Sequence, residues 1–118
     1  MSLFNSIVTS ALPILPKWFA KPFARPYVAG QTEDDAVTHI RTLNEKGFSA
    51  TVDILGEHVL KKEEARDITA QYCHLYDRIL NESLDCNISM KPTHVGLNIS
   101  VAEAMSNITT ILKKAQEY

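Results

Sequence analysis

The sequence predicts an α/β fold built on parallel strands, and three observations carry that expectation. Two apolar runs, Phe48-Ser-Ala-Thr-Val-Asp-Ile-Leu-Gly-Glu57 and Ile88-Ser-Met-Lys-Pro-Thr-His-Val-Gly-Leu97, each end in polar residues and a glycine. Each is followed by a segment with helical spacing of its apolar residues. From Thr32 onward the order is helix, strand, helix, strand, helix, an alternation that implies right-handed crossovers between parallel strands.

Thr32-Glu-Asp-Asp35 opens the first helix. Thr32 is a good N-cap, and three acids follow in the first turn, where the helix dipole favours them. Ala36, Val37, Ile40 and Leu43 make the inward stripe, and Gly47 stands in the usual place just past the end. A strand follows over about residues 48–55. Its apolar run (Ala50, Val52, Ile54, Leu55) suits a strand covered on both faces.

From about Lys62 to Leu84 the period returns to helical, with Ala65, Ile68, Tyr72, Leu75, Tyr76 and Ile79 on one face and Glu63, Arg66, Asp67, Asp77 and Arg78 on the other. Tyr72 and Tyr76 lie on the apolar stripe and read as core rather than as a ring-stacking site. The second strand covers about residues 86–91. Ser100-Val-Ala-Glu103 has the form of a capping box. The helix it starts is expected to turn Val101, Met105, Ile108, Leu112 and Ala115 inward.

Bulk composition is that of an ordinary soluble domain: 118 residues, 45% hydrophobic, 22% charged, net charge −2. Nothing advertises a nucleic-acid partner, because there is no basic, aromatic-rich patch. No apolar stretch reaches the ~18 residues of a membrane span. Cys73 and Cys86 form no C-x-x-C and no disulfide framework, so a reducing compartment is the default. The glycosylation sequons at Asn81, Asn87, Asn98 and Asn107 read as accidental.

The first 32 residues contain no acid, and their basic residues Lys17, Lys21 and Arg25 follow the apolar ones. A secretory signal has the opposite order. Residues 1–31 therefore read as an N-terminal helical segment, broken into short pieces by Pro13, Pro16, Pro22 and Pro26. Packing on the body of the protein is the expectation. A membrane-surface role and a targeting role are the alternatives.

In parallel β/α folds chemistry sits at the C-terminal ends of the strands. Those ends offer Asp53, Gly56 and Glu57 from the first strand, and Lys91, Thr93 and His94 from the second. An ammonium at the end of an apolar strand is costly without a partner. Lys91 could bind an anionic substrate or act as a Schiff-base nucleophile. It could equally form a structural pair with Asp53 or Glu57. His39, His58, His74 and His94 show no metal-ligand spacing, so no metal site is expected, and His94 reads as a polar loop residue. Gly56 and Gly96 read as turn formers.

Three ordered motifs then carry a resemblance: Pro26-Tyr-Val-Ala-Gly-Gln-Thr32, Thr51-Val-Asp-Ile-Leu-Gly-Glu57 and Ser89-Met-Lys-Pro-Thr-His-Val-Gly-Leu97. Together, over about residues 16–118, they resemble the N-terminal part of the bacterial monofunctional proline dehydrogenases. The resemblance implies a distorted (β/α)8 barrel carrying FAD, with residues 32–118 as its first βα units. It implies oxidation of L-proline to Δ1-pyrroline-5-carboxylate in the cytoplasm, with electrons passed to a quinone at the inner membrane. It gives Lys91 a part in holding the proline carboxylate, and Asp53 and Glu57 a supporting part.

The family's catalytic aspartate, flavin contacts and paired arginines lie beyond the matched region. The chain is therefore expected to be a fragment, inactive and unable to hold FAD alone, with a separate chain as one source of the rest of the barrel. A non-enzymatic αβα module or remnant is the alternative from a different class. A Schiff-base, aldolase-like barrel fragment using Lys91 is a further one.

Overall fold

In the computed structural model, residues 28–118 and Pro22 are described. Most of the helical segment expected over residues 1–31, with its membrane-surface and targeting alternatives, lies outside the described residues; residues 28–30 are in no helix or strand. The described elements are α1 (Glu33–Glu45), β1 (Ala50–Asp53), α2 (Lys62–Asn81), β2 (Cys86–Ser89) and α3 (Val101–Ala115), in the expected order.

Helix α1 starts as its sequence requires. The Thr32 hydroxyl accepts from the Asp35 amide, and the Asp35 carboxylate accepts from the Thr32 amide, so the capping box is closed in both directions. The helix stops at Gly47, where φ is +84°. There the Phe48 amide reaches the Leu43 carbonyl at 3.0 Å and the Gly47 amide reaches Asn44 at 2.8 Å, which together satisfy the last carbonyls. Helix α2 ends in the same way, with Ser83 in the left-handed position at φ +51° and the Leu84 amide on the Ile79 carbonyl at 3.0 Å.

The strands pair in parallel, with Ala50 opposite Cys86 and Asp53 opposite Ser89, and α2 is the crossover between them. Both are shorter than the apolar runs suggested: pairing ends at Asp53 and Ser89, before Ile54-Leu55 and Met90. Ala50, Val52, Cys86 and Ile88 are half-buried, whereas Thr51, Asn87 and Ser89 are exposed. Expected cover on both faces of β1 is thus corrected: among the described residues the helices cover one face. Leu55, just past β1, is 72% exposed.

The core sits between α2, α3 and that covered face. Val59, Ala65, Ile68, Tyr72, Val95 and Ile111 form its centre, with Ile54, Ile88, Met90 and Ile108 packed around them. The N-terminal stripe of α1 is inward as expected, with Val37 and Ile40 buried.

Helix α3 is rotated from its expected facing. Glu103, Ala104, Asn107 and Ile111 are buried, while Val101, Met105 and Leu112 are more than half exposed. Polar tethers explain the rotation. The Asn107 amide donates to the Val95 carbonyl at 2.9 Å, and the Arg66 guanidinium donates to Glu103 at 2.9 Å. A capping box at Ser100 is only half made. The Ser100 hydroxyl accepts from the Glu103 amide, but the Glu103 carboxylate serves Arg66 instead. Counting apolar residues misses this, because two buried polar residues define the inward face.

Candidate functional site at the strand mouth

Asp53 is the last residue of β1, and Lys91 follows the end of β2 by two residues. The register that sets Asp53 opposite Ser89 brings the two charges to one mouth. The Lys91 ammonium lies 3.5 Å from Asp53 Oδ2, with the lysine side chain 47% exposed and the aspartate 30% exposed. Lys91 is therefore paired and still open to solvent. Glu57 is not brought to Lys91. Its side chain is half exposed, and its one ion-pair-distance neighbour among the described residues is the His58 imidazole, at 3.8 Å.

Behind this pair lies a polar cluster that the apolar pattern conceals. Tyr72 is fully buried in the middle of α2. Its hydroxyl is 3.3 Å from Asp53 Oδ1, 3.5 Å from the Ile54 carbonyl and 3.3 Å from His94 Nδ1. The Tyr72 and His94 rings meet edge to face at 6.0 Å between centroids. Burial, then the Asp53 charge, pushes the Tyr72 phenol above its usual range, so it stays protonated and able to donate. Reading Tyr72 as core was right for its ring but missed its hydroxyl. The available signal was that a buried tyrosine hydroxyl normally has a partner.

His94 corrects its expectation as a polar loop residue: it is only 4% exposed. The tight turn after β2 carries it inward, with its own amide on the Lys91 carbonyl at 2.9 Å and the Leu97 amide on the Pro92 carbonyl at 3.0 Å. Across the mouth, the Val59 amide donates to the Thr93 carbonyl at 3.2 Å, which joins the two loops. Gly56 makes room for the imidazole. A Cβ there would stand 2.3 Å from His94 Nε2. The glycine is thus a close-approach residue as well as a turn former.

Burial holds the His94 pKa below its ordinary 6.5, with the Lys91 charge acting in the same direction and Asp53 against it. As pH falls below 6.5, the unfolded chain takes up this proton before the folded one does. The contribution to stability is then complete above the unfolded pKa and is lost as pH falls through the window towards the lower folded value. Urea unfolding is expected to show a lower midpoint at about pH 5.5 than at about pH 7, and His94→Gln should reduce that difference. An equal pH response in both proteins would remove His94 as its source.

Among the described residues, no cluster of three or more His, Cys, Asp or Glu side chains could hold a metal, and no helix is long and apolar enough to cross a membrane. What the arrangement offers is one oriented ammonium beside a carboxylate, at the C-terminal edge of parallel strands, backed by a buried tyrosine–histidine pair. An ammonium placed in this way can form charge-assisted hydrogen bonds to a small anionic group.

Comparison with known proteins finds relatives named proline dehydrogenase. No family profile matches the chain. Proline dehydrogenase 1 of Bacillus subtilis subsp. natto is 34% identical over 105 residues, covering 85% of this chain and 35% of that protein. Proline dehydrogenase 1 of Bacillus subtilis strain 168 is 33% identical over the same length. Proline dehydrogenase 2 of that strain is 33% identical over 101 residues, covering 86% of this chain and 33% of its own length. These matches show a relationship to the proline dehydrogenase family along this segment. The chain spans about one third of the length of the curated relatives it matches.

Proposed function

We propose that this chain supplies the opening βα units of a (β/α)8-barrel proline dehydrogenase, which oxidises L-proline to Δ1-pyrroline-5-carboxylate using FAD and delivers the electrons to a quinone. The observation that carries the reading is Lys91: an ammonium at the end of a parallel strand, paired with Asp53 at 3.5 Å yet half exposed, in a chain related to proteins named for that activity. Two features support further β/α units beside these. Among the described residues the strand pair has one uncovered face, and α3 presents Val101, Met105 and Leu112 to solvent. Such surfaces suit burial against neighbouring strands and helices.

In this reading Lys91 receives the substrate carboxylate, Asp53 holds the lysine in place, and Glu57 stands at the rim. The described residues do not themselves fit FAD. A flavin diphosphate calls for cations or a run of free amides. At this mouth Lys91 faces Asp53, Arg66 and Lys62 face Glu103, and the start of α2 beside Lys61, which has no side-chain cap, carries Glu63 and Glu64 in its first turn. We therefore assign the flavin to the part of the fold that these residues do not form, and expect the 118-residue chain alone to be inactive. The complete enzyme would work on the cytoplasmic side, reaching the quinone from the inner-membrane surface.

The test is a hybrid in which this chain replaces the matching segment of Bacillus Proline dehydrogenase 1. A yellow flavoprotein that reduces an artificial electron acceptor only when L-proline is present is the expected result, with neither property in the chain alone. A folded, flavin-loaded hybrid indifferent to proline would overturn the proposal.

A further inference from the structure

We infer that Tyr72 is a positioning residue for Lys91: its buried hydroxyl donates to Asp53, accepts from His94, and so fixes the carboxylate that aims the ammonium. The two oxygens of Asp53 divide the work, with Oδ1 at 3.3 Å from the Tyr72 hydroxyl and Oδ2 at 3.5 Å from the Lys91 ammonium. A carboxylate gripped on one oxygen by a buried, rigid ring presents its other oxygen in one direction. A carboxylate on an exposed strand end would otherwise rotate freely, and a half-exposed lysine would follow it.

The proton count then fixes His94. A tyrosine hydroxyl has one hydrogen and can accept through its lone pairs. The ionised Asp53 is the stronger acceptor, so the hydrogen goes to Oδ1. Towards His94 Nδ1, at 3.3 Å, the tyrosine oxygen can then only accept. His94 must carry its proton on Nδ1 and leave Nε2 bare beside Gly56. The missing Cβ of Gly56 is what lets the ring seat this deeply. The backbone supports the same arrangement, because the turn that carries His94 begins at the Lys91 carbonyl. Lysine and histidine are thus placed by one short segment, and Tyr72 ties that segment to the end of β1.

That Lys91 meets a substrate carboxylate rests on the reading above; the hydrogen-bond chain does not, and it can be tested in the chain itself. Long-range proton–nitrogen NMR on the 15N-labelled chain, at a pH where histidine is neutral, separates the two tautomers. The expected spectrum shows His94 protonated on Nδ1. In Asp53→Leu, which removes the charged acceptor and leaves the Ile54 carbonyl at 3.5 Å as the remaining competitor, the Tyr72 hydrogen should turn to the nearer His94 Nδ1 at 3.3 Å, and the Nδ1–H pattern should be lost in favour of Nε2–H. Tyr72→Phe keeps the packed ring and removes only the oxygen. It should merge the two Lys91 ε-proton signals, which are expected to be distinct while the side chain is held.

An Nε2–H tautomer in the unmodified chain would overturn the inference. So would a His94 pattern unmoved by Asp53→Leu, or Lys91 signals identical with and without the Tyr72 hydroxyl. Failure of the proline dehydrogenase reading would appear in the hybrid enzyme and leave these spectra as they are.

Discussion

Gly56→Ala is expected to destabilise the protein by about 2–6 kcal/mol, out of proportion to one added methyl group. The new Cβ would stand 2.3 Å from His94 Nε2 and 2.9 Å from two of its ring carbons. Overpacking of this kind costs about 1–3 kcal/mol. The imidazole cannot swing away cheaply, because the Tyr72 ring meets it edge to face and its Nδ1 is engaged. Backbone strain adds to the clash. Gly56 sits at φ +154°, a conformation that L side chains rarely adopt, and strain of this type costs about 1–3 kcal/mol. Urea unfolding measures the sum. The double variant Gly56→Ala with His94→Ala separates its parts, since removal of the ring should relieve the clash and leave the strain. A Gly56→Ala protein within about 0.5 kcal/mol of the parent, the range of an ordinary surface change, would show that the close approach is not a constraint.

Gly56 also marks the limit of what the residues reveal before the fold is known. Periodicity located all five described elements, since the alternation of helical and apolar segments follows from which faces must be buried. Caps were legible for a local reason: Thr32 and Asp35 satisfy amides within one turn of each other, and Gly47 supplies the left-handed residue there. The mouth residues Asp53 and Lys91 were legible because chain direction alone puts strand ends together. Their pairing was one of two alternatives, and the register decides it in favour of Asp53 over Glu57.

What stayed hidden is long-range. Nothing in Pro92-Thr-His-Val95 says that its histidine turns inward onto a tyrosine of α2, because that contact depends on how the turn is wound. The facing of α3 failed for a related reason. A stripe of Val101, Met105 and Leu112 satisfies helical spacing, but Asn107 and Glu103 find their partners, Val95 and Arg66, on the other side. An apolar stripe finds the inward face only when the helix has no second apolar surface to present. Among the described residues this stripe and one face of the strands stay uncovered, and the proposed further β/α units rest on these two surfaces.

In the hybrid enzyme, Lys91→Met is expected to raise the KM for L-proline by about ten- to a hundredfold and to leave flavin content almost unchanged. Methionine preserves the reach of the side chain and removes the charge. A charge-assisted bond to a carboxylate is worth roughly 1.5–3 kcal/mol, and each 1.4 kcal/mol is a factor of ten in binding. The competing account makes Lys91 a structural partner of Asp53, and magnitudes separate the two. A half-exposed pair at 3.5 Å belongs to the range of about 0–1 kcal/mol for surface ion pairs, after screening by solvent. Its loss should lower the urea midpoint only slightly, all the more because Asp53 keeps its bond to the Tyr72 hydroxyl. If Lys91 serves structure alone, the variant should yield less folded, flavin-loaded enzyme, and each loaded molecule should keep its KM. If it serves the substrate, the yield should hold and KM should rise. Steady-state kinetics normalised to bound flavin distinguishes these results, and an unchanged KM would take Lys91 out of the substrate site.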